Sequence, residues 1–436
     1  MKYLIWVKYY FLIFTSLIFL KTNGQSLPGC WKWVGGVQQT NNYGGNFGTK
    51  GVSSPTNKPP GLYEAIEWQD QKGNFWLYGG TNNAVGFYDN MWKYDLTIKQ
   101  WTWISGNGLP SQNVKYGVKG VPSMTNSPGL RTTSYSWVDK FGKFWLFGGI
   151  GSCTNAPNCG LPYGDLWKYD PNNNTWAWMK GPQYYGNPGV YGVKGVEDTL
   201  NYPPTQSEMG VSWTDDVNGN LWLVATNGCL WRYNINTNNW TWMKGDTSQF
   251  APNSVYGTKG IPALANTPGA SYFDFTRWKD SKGDFWYLYS RGSAFLKVLW
   301  RYQIQNNCWT WMWGDTTFTD VHNYGDTKCD STKNSLDPRP RVEGRACWID
   351  GCDNLWVMGG GSATAFTNPA LNDLMFYNTR KNQWTWVAGD TIEKNTSSFG
   401  VLNVASSTNY PSSRSGAHPF KDLNGDLGLF GGAASD

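Results

Sequence analysis

The stretch IEWQDQKGNFWLYGGTNNAVGFYDNMWKYDLTIKQWTW, residues 66–103, holds four aromatic-rich runs separated by Gly, Asn, Asp and Lys. The first ends in W-x-D, Trp68 to Asp70, and the second is Phe75-Trp76-Leu77-Tyr78-Gly79-Gly80. The third is Met91-Trp92-Lys93-Tyr94-Asp95, and the fourth is the W-x-W triplet Trp101 to Trp103. Short apolar runs bounded by turn formers are the pattern of β-strands. Four in succession predict one four-stranded sheet.

The same unit recurs along the chain. W-x-W triplets begin at Trp31, Trp101, Trp176, Trp240, Trp309 and Trp384. W-x-D returns at Trp137, Trp213, Trp278 and Trp348, with Phe420 to Asp422 in the sixth copy. Second runs start at Phe144, Leu221, Phe285, Leu355 and Leu427, and third runs at Leu166, Leu230, Leu299 and Leu374. In every complete unit the first Trp of the triplet follows the Tyr of the third run by the same spacing, as in Tyr94 to Trp101. Repetition of a four-stranded unit predicts an all-β propeller with one blade per module. Six blades are expected over residues 25–436, with modules starting near residues 31, 101, 176, 240, 309 and 384. The last is incomplete: it has two strands near the C-terminus, takes its fourth from Trp31 to Trp33, and lacks a third run. The N-terminal strand is expected to close the ring. The unpaired edge implies either a longer native chain or an imperfect closure.

A Gly-Gly pair, a Tyr and a Trp at fixed spacing resemble the kelch motif, over residues 31–436. The arrangement is similar to the kelch-like central domain of galactose oxidase. Two departures stand out. Kelch modules run near ~50 residues and these are longer, and the Gly-Gly pair is replaced by Ala225-Thr226 and by Tyr289-Ser290. The resemblance implies a binding scaffold. It also raises an oxidase, whose copper is held by two His and two Tyr, and a kelch-like sugar epimerase. The chain has two His, His322 in a connection and His418 in the sixth first strand, and both read as surface or packing residues. Zinc-type Cys/His spacings and catalytic motifs are absent, so neither metal nor cofactor is expected. Asp422 to Asp426 looks like the start of a calcium loop, yet Asp215 to Asn220 and Asp280 to Asp284 hold the same place, which suits hairpin turns. Epimerase chemistry would draw on Glu64, Arg131, Glu208 and Arg345, all assigned to first strands lining the channel.

Twenty-eight Trp invite a carbohydrate-stacking surface, but only Trp6 and Trp313 fall outside repeat positions. Trp313 is therefore the candidate exposed contact. The connections between modules carry an aromatic-Gly-x-Lys-Gly motif at Phe47 to Gly51, Tyr116 to Gly120, Tyr191 to Gly195 and Tyr256 to Gly260. It is degenerate at Tyr324 and Phe399, and an Asn/Pro turn follows it. Packing of Tyr116, Tyr191 and Tyr256 against the blades is expected ahead of ligand contact. Lys119, Lys194 and Lys259 would add a cationic ring if they project outward. With Trp313 these residues make the candidate binding face, beside the irregular loops at 81–89, 150–164 and 361–372.

Residues 1–24 read as a signal peptide: Lys2 and Lys8 precede an apolar core from Tyr9 to Leu20, too short to span a bilayer. A secreted or cell-surface chain without a membrane span is expected. In that setting Cys153 and Cys159 are expected to pair, whereas Cys347 and Cys352, one in a strand and one at its turn, are not. Asn173, Asn239 and Asn395 head N-glycosylation sequons. A net charge of +5 without a basic run argues against a nucleic-acid partner. The expected function is a binding scaffold for an extracellular protein or glycan, not an enzyme. Sugar-directed catalysis and a structural or adhesive surface role are the alternatives.

Overall fold

A computed structural model describes residues 30–36, 44–82, 86–108, 113–151, 162–206, 210–247, 253–270, 276–291, 296–316, 323–325, 328–329, 338–339, 341–342, 346–362, 370–393 and 395–434. The expected signal segment, Cys153, Cys159, Glu208, His322 and Arg345 lie outside these residues.

Four-stranded antiparallel sheets are arranged as a β-propeller, with five such blades among the described residues. Blade 1 is Ile66–Gln69, Phe75–Tyr78, Met91–Asp95 and Gln100–Ser105. Blade 2 is Tyr135–Val138, Phe144–Phe147, Leu166–Asp170 and Thr175–Lys180. Blade 3 is Val211–Thr214, Leu221–Val224, Leu230–Asn234 and Asn239–Lys244. Blade 4 is Arg277–Lys279, Phe285–Arg291, Leu296–Gln303 and Cys308–Gly314. Blade 5 is Ala346–Ile349, Asn354–Met358, Leu374–Asn378 and Gln383–Ala388. The repeated sequence is also a repeated register: Trp68 opposes Trp76 as Trp137 opposes Trp145, and Tyr94 opposes Trp101 as Tyr169 opposes Trp176.

The Asp of W-x-D sets each first hairpin. In blade 1, one Asp70 carboxylate oxygen accepts the Lys72 and Asn74 amides at 2.9 and 2.8 Å, and the other accepts the Trp76 indole N–H at 2.9 Å. Asp139, Asp215, Asp280 and Asp350 do the same for Trp145, Trp222, Trp286 and Trp356. Asp422 holds its turn amides likewise, at Asn424 and Asp426, which makes the calcium-loop look-alike a hairpin turn. The second turn explains the fixed Tyr-to-Trp spacing. The phenols of Tyr169, Tyr302 and Tyr377 donate to Asn174, Asn307 and Asn382, each in the left-handed region that Asn tolerates well.

Blades are welded by the first-strand Trp. Trp68 stacks on Phe144 at 5.2 Å and donates its indole N–H to the Trp145 carbonyl; Trp213 stacks on Phe285 at 4.9 Å. Trp137, Trp213, Trp278 and Trp348 each donate to a backbone carbonyl of the next sheet round the ring. At ~200 Å² of ring surface and ~25 cal/mol per Å², a fully buried Trp supplies on the order of 5 kcal/mol.

Beyond the five blades, His418–Lys421 and Leu427–Phe430 form a two-stranded hairpin, and Trp31–Lys32 pairs with Ala405–Ser406. The hairpin packs on blade 1 through Phe420 on Phe75 at 4.9 Å and Phe430 on Trp101 at 5.1 Å. The Gly-Gly pairs sit in the left-handed region, as at Gly79 and Gly80. Where that pair is lost, the chain takes other routes. Blade 3 makes a tight turn from Ala225 to Cys229, and in blade 4 the second strand runs on through Tyr289 to Arg291. Among the described residues, Cys30, Cys229, Cys308, Cys329 and Cys352 are free thiols.

Each connection lies against the outer strand of the blade that follows. Ser53–Ser54 pairs with Gln100–Ser105, and Ser123, Asp198 and Ala263 bridge to Trp176, Trp240 and Trp309. A buried Asn pins it: the Asn126 carboxamide donates to the carbonyls of Val121 and Trp176 at 3.0 Å each, and Asn57, Asn201, Asn266 and Asn409 repeat the pair. That carboxamide occupies the space where a Cβ on the motif's first Gly would sit, at Gly48, Gly117, Gly192, Gly257 and Gly400, all with positive φ. The Asn turn and the Gly motif are thus one device.

Two outcomes are expected. Asn201→Ala, which removes the carboxamide that bridges the Val196 and Trp240 carbonyls, should lower stability by about 1–3 kcal/mol in denaturant unfolding. Burial raises the phenol pKa of Tyr78, Tyr135, Tyr233 and Tyr324. A Tyr that ionises near pH ~10 when unfolded and higher when folded favours the unfolded chain only above that pH. The melting temperature should therefore be insensitive to these Tyr below pH ~10 and fall above it, with phenolate absorbance rising at unfolding rather than before it.

Candidate functional site

Strand alternation sends every second residue of a first strand away from the blade interface. Where the W-x-D Trp is buried, the residue before it faces the propeller axis: Glu67, Ser136, Ser212, Arg277, Cys347 and, before Phe420, Pro419. Six copies of one repeat position thus carry five residue types, in a chain that keeps Trp, Asp and Tyr at neighbouring positions. A pocket of ≈ 230 Å³ forms where these strands converge, bounded by residues of blades 1, 2, 4 and 5, by Gly210 just before blade 3, and by the 418–430 hairpin. It lies at the strand ends that follow the connections.

The pocket is polar and incompletely satisfied. His418 is 2% exposed, and its Nδ1 is 2.9 Å from the Glu67 carboxylate across the seam between the hairpin and blade 1. Its Nε2 is buried without a partner among the described residues, as is the Thr133 hydroxyl. Thr133 is β-branched yet sits at φ 57°, a strained conformation that concentrates at functional sites. Glu64 lies at φ 55° on the same wall and precedes the first strand rather than belonging to it. Arg277 adds a half-buried guanidinium that no side chain among the described residues pairs with, and Ser134 and Ser136 add hydroxyls. Below this layer the strands are stitched to their neighbours. Ser212 donates to the Ser136 carbonyl at 3.0 Å, Thr214 to Val138 at 3.1 Å and Gln69 to Lys421 at 2.6 Å. Among the described residues no three His, Cys, Asp or Glu side chains group as a metal site.

The structure corrects the placement of Arg131. It is fully buried behind the pocket wall, outside the first strand, in a bidentate pair with Asp165 at 2.6 and 2.7 Å. The same guanidinium donates to the carbonyls of Pro128 and Gly148 and lies 3.7 Å from the Tyr163 ring. Arg341 and Asp373 repeat the pair in blade 5. Arg131 is a structural cation, and a charged group so enclosed has no face left for a substrate. His418, read from sequence as surface or packing, is a pocket residue.

The residues proposed for the binding face have packing partners. Tyr116 stacks on Trp167 at 5.4 Å and donates to Asp165; Tyr191 lies on Trp231 and Tyr256 on Trp300. Desolvation pushes Tyr191 up to about 12. Lys119, Lys194 and Lys259 lie over the indoles of Trp178, Trp242 and Trp311 at 5.0, 4.3 and 4.4 Å. Lys194 and Lys259 also donate to the Gly245 and Gly314 carbonyls at 2.8 Å. Lys50 over Trp103 and Lys328 over Trp386 complete a set of exposed cations that cap the outer strands, where each stack is worth about 0.5–1 kcal/mol. Trp313 is half-buried, edge-on to Trp384 at 5.6 Å between blades 4 and 5. Of the sequons, Asn173 is exposed on a turn, while Asn239 holds Lys180 at 2.9 Å and Asn395 is tied to Ser413 and Asp390. Most of the irregular loops lies outside the described residues.

No protein-family model matches the chain, and no curated protein is similar to it.

Arg131→Met should destabilise the fold by about 3–5 kcal/mol, because it strands the buried Asp165 carboxylate. Adding Asp165→Asn should return part of that loss in chemical denaturation, whereas the same Asn change alone should not stabilise.

Proposed function

We propose that this chain is a secreted kelch-type propeller that binds a glycan end in the pocket on its axis. The observation that carries the reading is the non-repeating layer at the residue before the W-x-D Trp, in particular Glu67, Arg277 and Cys347 with His418 beside them. A polyhydroxylated ligand suits the unmet groups. The Thr133 hydroxyl and His418 Nε2 want partners, the Ser134 hydroxyl, which donates to the Gly148 carbonyl, can still accept, the Ser136 hydroxyl can both donate and accept, and Arg277 can bind hydroxyl or carboxylate oxygens. The aromatic connections do not compete for this role, since their ring faces are taken by neighbouring indoles. A protein partner on the loop rim is the broader form of the same scaffold reading.

Six positions around the axis complete the architecture. Trp31–Lys32 stands to Ala405–Ser406 as Gln100–Ser105 stands to Ser53–Ser54, so the N-terminal strand serves as the fourth strand beside the 418–430 hairpin. The Asn409 carboxamide on the Trp31 carbonyl, and Phe399 edge-on to Trp33, repeat the connection device there.

One observation favours a second reading, sugar-directed catalysis. A carboxylate on His Nδ1 holds the imidazole in the tautomer that leaves Nε2 free to accept a proton.

The deciding experiment is a glycan-array screen of the secreted protein, followed by calorimetry on any hit. Binding should weaken at least tenfold in Arg277→Ala and in Glu67→Gln, while both variants keep the wild-type melting temperature within a few degrees. Binding that survives both changes would remove the pocket from the reading. Turnover of a bound sugar, lost in His418→Gln, would establish the enzyme instead.

A further inference from the structure

Of the aromatic side chains among the described residues only two are exposed, Phe141 at 62% and Tyr184 at 59%. Phe141 lies in the first hairpin turn of blade 2, at the propeller face away from the pocket. Tyr184 follows the fourth strand of that blade and precedes the first strand of blade 3, so it lies on the face where first strands begin, the face of the pocket. Its connection reads Gln183-Tyr184-Tyr185-Gly186-Asn187, and no other connection carries a Tyr pair. Tyr185 is half-buried, edge-on to Tyr163 at 4.9 Å, with the two hydroxyls 3.4 Å apart. Gly186 has open space where a Cβ would sit. The Asn187 carbonyl accepts the Thr205 amide at 2.9 Å, which ties the loop down, and Asn187 Nδ2 is buried without a partner among the described residues.

Two runs of contacts join this aromatic ledge to the pocket. Ser134 on the pocket wall donates to the Gly148 carbonyl at 2.8 Å, and Arg131 donates to the same carbonyl at 2.9 Å and lies 3.7 Å from the Tyr163 ring. On the other side, Gly210 of the pocket lies against the Tyr135 ring, and the Tyr135 hydroxyl donates to Gln206 Oε1 at 2.9 Å. The Gln206 amide in turn donates to the Tyr163 carbonyl at 2.9 Å. We propose that pocket and ledge are one continuous glycan site, in which a chain end enters the pocket and a sugar farther along stacks on Tyr184. The inference rests on the glycan reading above and narrows its ligand to an oligosaccharide. A pyranose has a face of C–H groups and a rim of hydroxyls. The uncovered Tyr184 ring gives the face an apolar surface, and the Tyr185 hydroxyl gives the rim a hydrogen-bonding partner. The connection rings Tyr116, Tyr191 and Tyr256 are already covered by indoles, so they offer no such surface.

The test measures binding of the full chain to immobilised ladders of one to eight sugar residues, one each of a neutral, an N-acetylated and a uronic-acid homoglycan. Affinity for the ladder that binds should rise at least tenfold from the disaccharide to the longest member. Tyr184→Ala should cancel that rise and bring the longest member down to the affinity of the disaccharide. Tyr184→Phe, which keeps the ring, should retain the rise. Phe141→Ala, on the far face, should leave the whole ladder unchanged, and melting temperatures establish that each variant folds. Affinity indifferent to length, or a Tyr184→Ala loss that is equal for short and long members or matched by Phe141→Ala, overturns the continuous site. Where binding in that case still falls in Arg277→Ala, the ledge alone is lost and the pocket reading stands. Wild-type binding to no ladder, or binding untouched by Arg277→Ala, sinks the pocket reading and the continuous site with it.

Discussion

One carboxylate per blade holds the scaffold together. The Asp of W-x-D spends one oxygen on the amides of its own turn and the other on the indole N–H of the second strand. The turn, the register of the first hairpin and the orientation of a buried Trp are therefore fixed by a single side chain. Burial by itself would raise the Asp350 pKa, yet the donors from Trp356, Asn354 and the turn amides hold it below the usual carboxylate range. The anion is thus the form the fold requires. With the second-strand Trp fixed, the first-strand Trp opposite it has a defined surface to stack on and a carbonyl in the next sheet to reach. Local turn chemistry becomes blade-to-blade geometry in two steps.

That coupling explains how much of the fold could be read from sequence. Trp, Asp, Tyr, Asn and Gly recur because each answers a constraint that every blade meets again: an indole needing an acceptor, a turn needing a left-handed residue, a carboxamide needing the space of a missing Cβ. Constraints internal to a module leave a period in the chain. Two things left no such mark. The role of Arg131 depends on Asp165, thirty-four residues away and unremarkable by spacing. The geometry where Gly-Gly is lost depends on whether the second strand stops or runs on, which Tyr289-Ser290 permits and Gly-Gly does not.

The pocket was legible in a weaker sense. Its signal is the failure of the period at one position, Glu67, Ser136, Ser212, Arg277, Cys347 and Pro419, beside positions where the period holds. That failure can be seen in the sequence once strand alternation is applied to the first strand. Its meaning requires knowing that Glu67, Ser136, Arg277, Cys347 and Pro419, from strands far apart in the chain, converge on one pocket. His418 illustrates the gap. In sequence it is a lone histidine before a proline; in space it faces Glu67, more than three hundred residues away, across the seam between the C-terminal hairpin and blade 1.

The distribution of unmet hydrogen-bonding capacity separates scaffold from site more sharply than the distribution of aromatic rings. The outer surface is rich in Trp, Tyr and Lys, but there each indole face is covered by a connection aromatic or a lysine, and the lysines of three connections end on glycine carbonyls. A ligand arriving there would have to displace contacts already made. At the axis the balance reverses. A hydroxyl on a strained Thr, an imidazole nitrogen and a guanidinium share one pocket, and each would gain a partner from a ligand that carries several oxygens. Buried polar groups left unpaired cost about 1–3 kcal/mol each. A repeat able to place Asn or Asp wherever the backbone needs one has kept that cost where its blades meet.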